Sequence, residues 1–72
     1  MRTRTEHIEW SKQRALEYLR RGDLANAIAS MASDLDEHEE TKKVSKAMGP
    51  IGLMYAMNNN ADGVRRWIEG FR

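Results

Sequence analysis

The dipeptide Gly22-Asp23 constrains this chain more than any other feature. It separates two helical patterns within ALEYLRRGDLANAIASMASDL, residues 15–35. Glycine takes up the left-handed backbone just past a helix end without penalty, and aspartate is a good N-cap for the helix that follows. A connection this short folds the two helices back on each other as an antiparallel hairpin. The fold class follows: all-α, an antiparallel helical hairpin plus two or three short C-terminal helices.

The first helix is expected to start at Thr3, because Thr3 and Glu6 have capping-box spacing, and to run to about Arg21. At 100° per residue Ile8, Ala15 and Leu19 share a narrow stripe, with Ser11, Leu16 and Tyr18 at its margins. Arg20 and Arg21 fall in the last turn, where the helix dipole favours cations. The second helix, Leu24 to about Glu37, carries Leu24, Ile28, Met31 and Leu35 at 4-3-4 spacing as one apolar seam. Ala25, Ala29 and Ala32 form a small-residue line beside it, where another backbone can come close. Asp36, Glu37, Glu39 and Glu40 then crowd the end of that helix, where the dipole disfavours them. Thr41 is read as the cap of a third helix, in which Val44, Ala47, Met48, Ile51, Met54 and Tyr55 keep helical spacing through Gly49-Pro50. An interior proline removes a hydrogen bond and clashes with the preceding turn, so a break there, with two short helices meeting, is the expectation. Asn58-Asn59-Asn60 is a turn with Asn60 as N-cap. A last helix from Ala61 to about Gly70 puts Val64, Trp67, Ile68 and Phe71 on one face.

With 72 residues the chain forms one domain, 1–72. Ordering so short a chain costs roughly 1.5 kcal/mol per residue, which the burial of one small core about cancels. There is no cysteine, which excludes disulfides and thiolate metal sites. His7 and His38 are far apart in sequence without HExxH-like pairing, so no metal or other cofactor is implied. Self-association is the remaining source of stability, and a homo-oligomer is expected. No apolar run approaches the ~20 residues of a membrane span, and MRTRTEH has no apolar stretch after it as a signal peptide would. A cytosolic protein is the expectation. The net charge is only +1, but residues 1–22 carry six Lys/Arg against three Asp/Glu, residues 23–40 six Asp/Glu alone, and residues 41–72 six Lys/Arg against two Asp/Glu. Opposite blocks can pair within the fold or between subunits, or the basic blocks can face an anionic partner.

The segment EYLRRGDLANAIASMASDLDEHE resembles the centre of a tetratricopeptide repeat, over about a third of the chain. A single repeat has no neighbour to stack on, so the likeness is one of hairpin physics. The whole chain, from RTEHIEW through KQRALEYLRRGD and ASMASDLDEHEET to VRRWIEGF, resembles a family of short uncharacterised proteins of tailed bacteriophages. Two positions depart from that pattern: Glu39, where the family usually has proline, and Asn60-Ala61, where it often has Thr-Pro. The resemblance carries no catalytic residues. It implies a phage accessory protein acting in the host bacterial cytoplasm. Phages carry very small oligomeric proteins that sequester nucleotide messengers of host immune signalling.

Trp10 lies opposite the apolar stripe of its helix, among Glu6, Arg14 and Glu17. It is either covered by another helix or a stacking platform, with Arg14 beside it for phosphate or cation–π contact. Lys42, Lys43 and Lys46, with Arg65 and Arg66, form the basic set. They either pair with the preceding acidic run or hold an anion near helix starts. These seven residues are the candidate ligand-binding set. The acidic run with His38 looks exposed, and acid–base chemistry needs a protected cleft, so no catalytic residue is assigned and a non-enzymatic role is expected. Three classes remain: a binder that sequesters a small anionic, nucleotide-type ligand at a subunit interface; a module that inhibits or adapts a host or phage protein; and a DNA-binding regulator. The low net charge and the acidic second helix disfavour the last.

Overall fold

The structure is a computed structural model that describes residues 3–71; Arg2 and Arg72, counted in the basic blocks above, lie outside them. The described residues form α1 (Arg4–Arg20), α2 (Leu24–Asp36), α3 (Glu39–Met57) and α4 (Ala61–Glu69), with no strand among them. Thr3 opens α1 with a full capping box: its Oγ1 accepts from the Glu6 amide at 3.1 Å while Glu6 Oε1 accepts from the Thr3 amide at 3.2 Å.

Two of the connections repeat one piece of chemistry. After α1, Gly22 takes φ +78°. Its amide donates to Leu19 O and the Asp23 amide to Tyr18 O, which satisfies two orphan carbonyls of the helix end. Asp23 then caps α2 by accepting from the Asn26 amide. After α3, Asn59 takes φ 53°, its amide donates to Ala56 O and the Asn60 amide to Tyr55 O. Asn60 caps α4 by accepting from the Gly63 amide at 2.9 Å. Asparagine tolerates the left-handed backbone better than other residues with a side chain, so Asn59 serves where the first turn uses glycine.

The core is the seam of α2 closed by α1 and α4. Leu24, Ile28, Met31 and Leu35 are buried with Ala27, against Ile8 and Ala15 of α1 and against Val64, Trp67 and Ile68 of α4, with Phe71 beyond it. On α1 the buried stripe also includes His7 and Ser11, while Leu16, Tyr18 and Leu19 are half-buried at its edge.

Helix α3 departs from expectation in three ways. It starts before Thr41: His38 is the N-cap, and Thr41 is buried in the first turn. Its hydroxyl donates to Leu35 O at 2.5 Å, with His38 O a second acceptor at 3.1 Å that shares the same proton, so Thr41 finishes α2 rather than starting α3. The acidic run is thereby divided. Asp36 and Glu37 end α2, but Glu39 and Glu40 lie in the first turn of α3, where the dipole favours them. Second, α3 does not break at Gly49-Pro50; it is one helix of 19 residues and the longest of the four. Proline removes one amide donor, but tertiary packing holds the same turn. The Trp67 indole Nε1 donates to Met48 O at 2.9 Å, and its ring lies where a Cβ on Gly52 would come within 2.6 Å. Third, the apolar stripe read from Val44 to Tyr55 does not face inward as a whole. The buried residues of α3 are Thr41, Ser45 and Gly52, with Val44, Met48 and Ala56 half-buried. Ile51, Leu53, Met54, Tyr55 and Met57 are 36–78% exposed. Of the small-residue line on α2, Ala32 is the member that α3 approaches: the Ser45 hydroxyl donates to Ala32 O at 3.1 Å, while Ala25 and Ala29 are exposed.

Candidate functional site

Trp10 and Arg14 lie one turn apart on α1, and the structure shows what engages them. The Arg14 guanidinium carbon sits 4.8 Å from the centroid of the Trp10 indole, a cation–π contact. The same guanidinium forms an ion pair with α2, Nε lying 2.8 Å from Asp34 Oδ2. The His7 ring also stacks on Trp10, at 5.8 Å between centroids. His7 Nε2 lies 2.6 Å from Asp34 O; a carbonyl only accepts, so that nitrogen carries the proton. His38, at the start of α3, tilts against His7 at 5.2 Å between ring centroids. His7, Trp10, Arg14, Asp34 and His38 thus form one cluster joining three helices.

Asp34 is the electrostatic centre of that cluster. Burial pushes its carboxyl above the ordinary carboxylate range; Arg14 pulls it back, Glu37 adds to the rise and His7 opposes it. Arg14 is half-exposed, so its charge is partly hydrated while that of Asp34 is not. This is the one ion pair between an N-terminal basic residue and the acidic block among the described residues; the other two, Lys12–Glu9 and Arg20–Glu17, are local to α1. The expected pairing of Lys42 and Lys43 with the acidic run is not formed.

The other candidates are not gathered into one place. Lys42, Lys43 and Lys46 are exposed on α3. Arg65 and Arg66 are also exposed but face different grooves. Arg65 lines a groove of about 420 Å³ between α1 and α4, where Arg20, Asp62 and Glu69 give it mixed charge. Arg66 lines a second groove of about 260 Å³, whose apolar wall is Val44, Met48, Trp67 and Phe71 and whose other cation is Arg4. Trp67 and Phe71 meet edge to face at 4.9 Å beneath it. Neither Arg4 nor Arg66 has an ion-pair partner among the described residues. This groove is the place where unpaired guanidinium groups meet an aromatic and thioether surface, the combination that suits an anion carrying a flat or apolar body.

Sequence reasoning missed Arg4 because it belongs to the first turn of α1 and reaches the groove only through the packing of α1 near α4. It also missed the meeting of His7 with His38. The signal for that was present: His7 falls one residue before Ile8 on the buried stripe, and His38 sits at the corner between the second and third helices. Among the described residues no group of three or more His, Cys, Asp or Glu is placed to hold a metal ion. No helix of the described residues is long and apolar enough to cross a membrane. No family model, no curated protein and no solved structure matches this chain.

Proposed function

We propose that this protein is a non-enzymatic phage accessory protein that sequesters a small anionic ligand of nucleotide type, acting against host defence in the bacterial cytoplasm. The phage setting rests on the resemblance of the sequence to short tailed-bacteriophage proteins. The observation that carries the ligand class is the groove of Arg4 and Arg66 over Val44, Met48, Trp67 and Phe71. Two cations without ion-pair partners among the described residues attract phosphate, and the apolar wall accepts the edge of a base. At about 260 Å³ the groove is below the ~300–1,000 Å³ of pockets that enclose a whole small ligand. A second subunit would therefore complete the site. In this reading Arg66 remains from the expected ligand set and Arg4 joins it. Trp10 and Arg14 serve the fold, because Arg14 is already held by Asp34 and by the Trp10 ring. Lys42, Lys43, Lys46 and Arg65 contribute long-range attraction.

Calorimetry against a panel of cyclic and ADP-ribose-type nucleotides tests this reading. Saturable binding that Arg66→Glu weakens at least tenfold supports it, and the absence of heat with every member of the panel overturns it. A second reading, a module that binds another protein, is favoured by a different observation: the large apolar side chains exposed along the C-terminal half of α3.

A further inference from the structure

The two grooves beside α4 differ in charge. In the groove between α1 and α4, Arg20 and Arg65 stand with Asp62 and Glu69, so both signs are present. In the groove over Trp67 and Phe71 the charged lining is Arg4 and Arg66 alone; no Asp, Glu or His lines it among the described residues. Other donors of that lining are already committed. The Trp67 indole N–H goes to Met48 O and the Gly70 amide to Arg66 O. Selection in this groove therefore falls to two guanidinium groups, one from α1 and one from α4, both on exposed side chains without an ion-pair partner among the described residues.

We infer that this groove selects a ligand with two negative charges close together, as in a terminal phosphate monoester or a diphosphate, over one with a single phosphodiester, as in a cyclic mononucleotide. The inference rests on the nucleotide reading of the same groove and names the feature of the nucleotide that is read. Charge is the first reason. Two guanidinium groups lining one small groove repel each other, and a ligand with a single negative charge leaves one of them uncompensated. A terminal phosphate monoester carries about −1.5 to −2 at neutral pH, and so balances both. Acceptor count is the second reason. A guanidinium fork donates to two oxygens at once. Two forks exceed what the two unesterified oxygens of a phosphodiester accept, whereas a monoester offers three such oxygens and a diphosphate four. The wall of Val44, Met48, Trp67 and Phe71 has no free polar side chain, so it holds the rest of the ligand by contact and leaves the choice to Arg4 and Arg66.

Calorimetry with AMP, ADP-ribose and cyclic AMP tests the selection. At least one of AMP and ADP-ribose is expected to bind about tenfold or more tightly than cyclic AMP, the size of one lost charge-assisted contact. Acid separates the two sources of charge. Between about pH 7 and pH 5 the terminal phosphate of AMP passes its second pKa, near 6, and its affinity should fall severalfold. ADP-ribose has no such proton to gain and arginine stays charged, so its affinity at the same pH values is the control for titration of the protein's own His7, His38 and Asp34. Arg4→Gln and Arg66→Gln, both at exposed positions, should each remove the preference while helicity by circular dichroism is unchanged. Cyclic nucleotides binding as tightly as AMP and ADP-ribose, or in their place, overturn the inference and leave the nucleotide reading standing. A preference that survives both substitutions also overturns it. No heat with any nucleotide overturns the nucleotide reading and this inference with it.

Discussion

Helix α2 turns Leu24, Ile28, Met31 and Leu35 inward and leaves Ala25, Ala29 and Ser33 outside, whereas α3 turns Thr41, Ser45 and Gly52 inward and leaves Ile51, Leu53, Met54 and Met57 outside. The two helices pack against each other, so the difference does not come from one of them lying apart from the bundle. It lies in what each inward face is asked to do. Helix α2 is central and gains most by burying large side chains. Helix α3 reaches α2 through hydroxyls that donate to α2 carbonyls, and reaches α4 through a glycine that admits an indole. Small and hydroxyl-bearing residues give close approach and satisfied polar groups, but little apolar burial. Ile51, Leu53, Met54 and Met57 are therefore surplus to the single chain, whereas Val44 and Met48 pack against the core. One helix builds the frame, and the other uses the frame to display a surface.

The sharpest way to break this comparison is to make the same substitution on both helices. Met31→Ala opens a cavity in a fully buried site and should destabilise the fold by about 2–5 kcal/mol. Met54→Ala, at 62% exposure, should change the stability of the dilute monomer by no more than ~0.5 kcal/mol. Urea denaturation read by circular dichroism, on dilute samples, measures both. Comparable losses would mean that α3 is part of the core after all.

Gly52→Ala probes the close approach of α3 and α4. The added methyl would come within 2.6 Å of the Trp67 ring, and overpacking of that kind costs about 1–3 kcal/mol. Its signature is a changed Trp67 fluorescence together with a lower Tm, since the indole must shift away from Met48 O. A substitution that leaves both unchanged would place the ring elsewhere.

The smallest effect is electrostatic and concerns the cluster that ties α1 to α2 and α3. Asp34 in the folded chain holds its proton more tightly than in the unfolded chain, because burial raises its pKa above the ordinary 3.8. Its contribution to stability is therefore fully present below that ordinary value and is lost as pH rises through the higher folded one. At neutral pH the ionised Asp34 is a burden that Arg14 only partly offsets. Asp34→Asn should accordingly raise Tm slightly at pH 7 and lose that advantage in acid below the ordinary carboxylate range. Thermal melts at the two pH values check the sign. A lower Tm at pH 7 would mean that the Arg14 pair outweighs the burial.

The frame was more legible in the sequence than the surface. Gly22-Asp23 and Asn60 act through local backbone chemistry, and the 4-3-4 seam of α2 has an unambiguous inward side because its remaining positions are small or polar. Helix α3 has apolar residues around much of its circumference, so periodicity reveals a helix without saying which side faces in. Beside Pro50 the carbonyl of Met48 accepts from Trp67, which comes from the next helix, and no local rule anticipates that contact. Trp10 stands off the apolar stripe as its spacing implied, but its own Arg14 and His7 lie against it, and that depends on Asp34 being within reach. The basic candidates were legible as residues and not as a site: adjacent Arg65 and Arg66 line different grooves, and Arg4 reaches its groove only through tertiary packing.

Methionine oxidation reads the frame and the surface in one experiment. The chain should be treated with dilute peroxide at high and at low protein concentration, and each methionine followed by mass spectrometry. Met31, fully buried, should resist at both concentrations. Met54 and Met57, exposed on α3, should oxidise rapidly when dilute. Slow oxidation of Met54 and Met57 in dilute samples would contradict the account, and so would oxidation of Met31 at their rate.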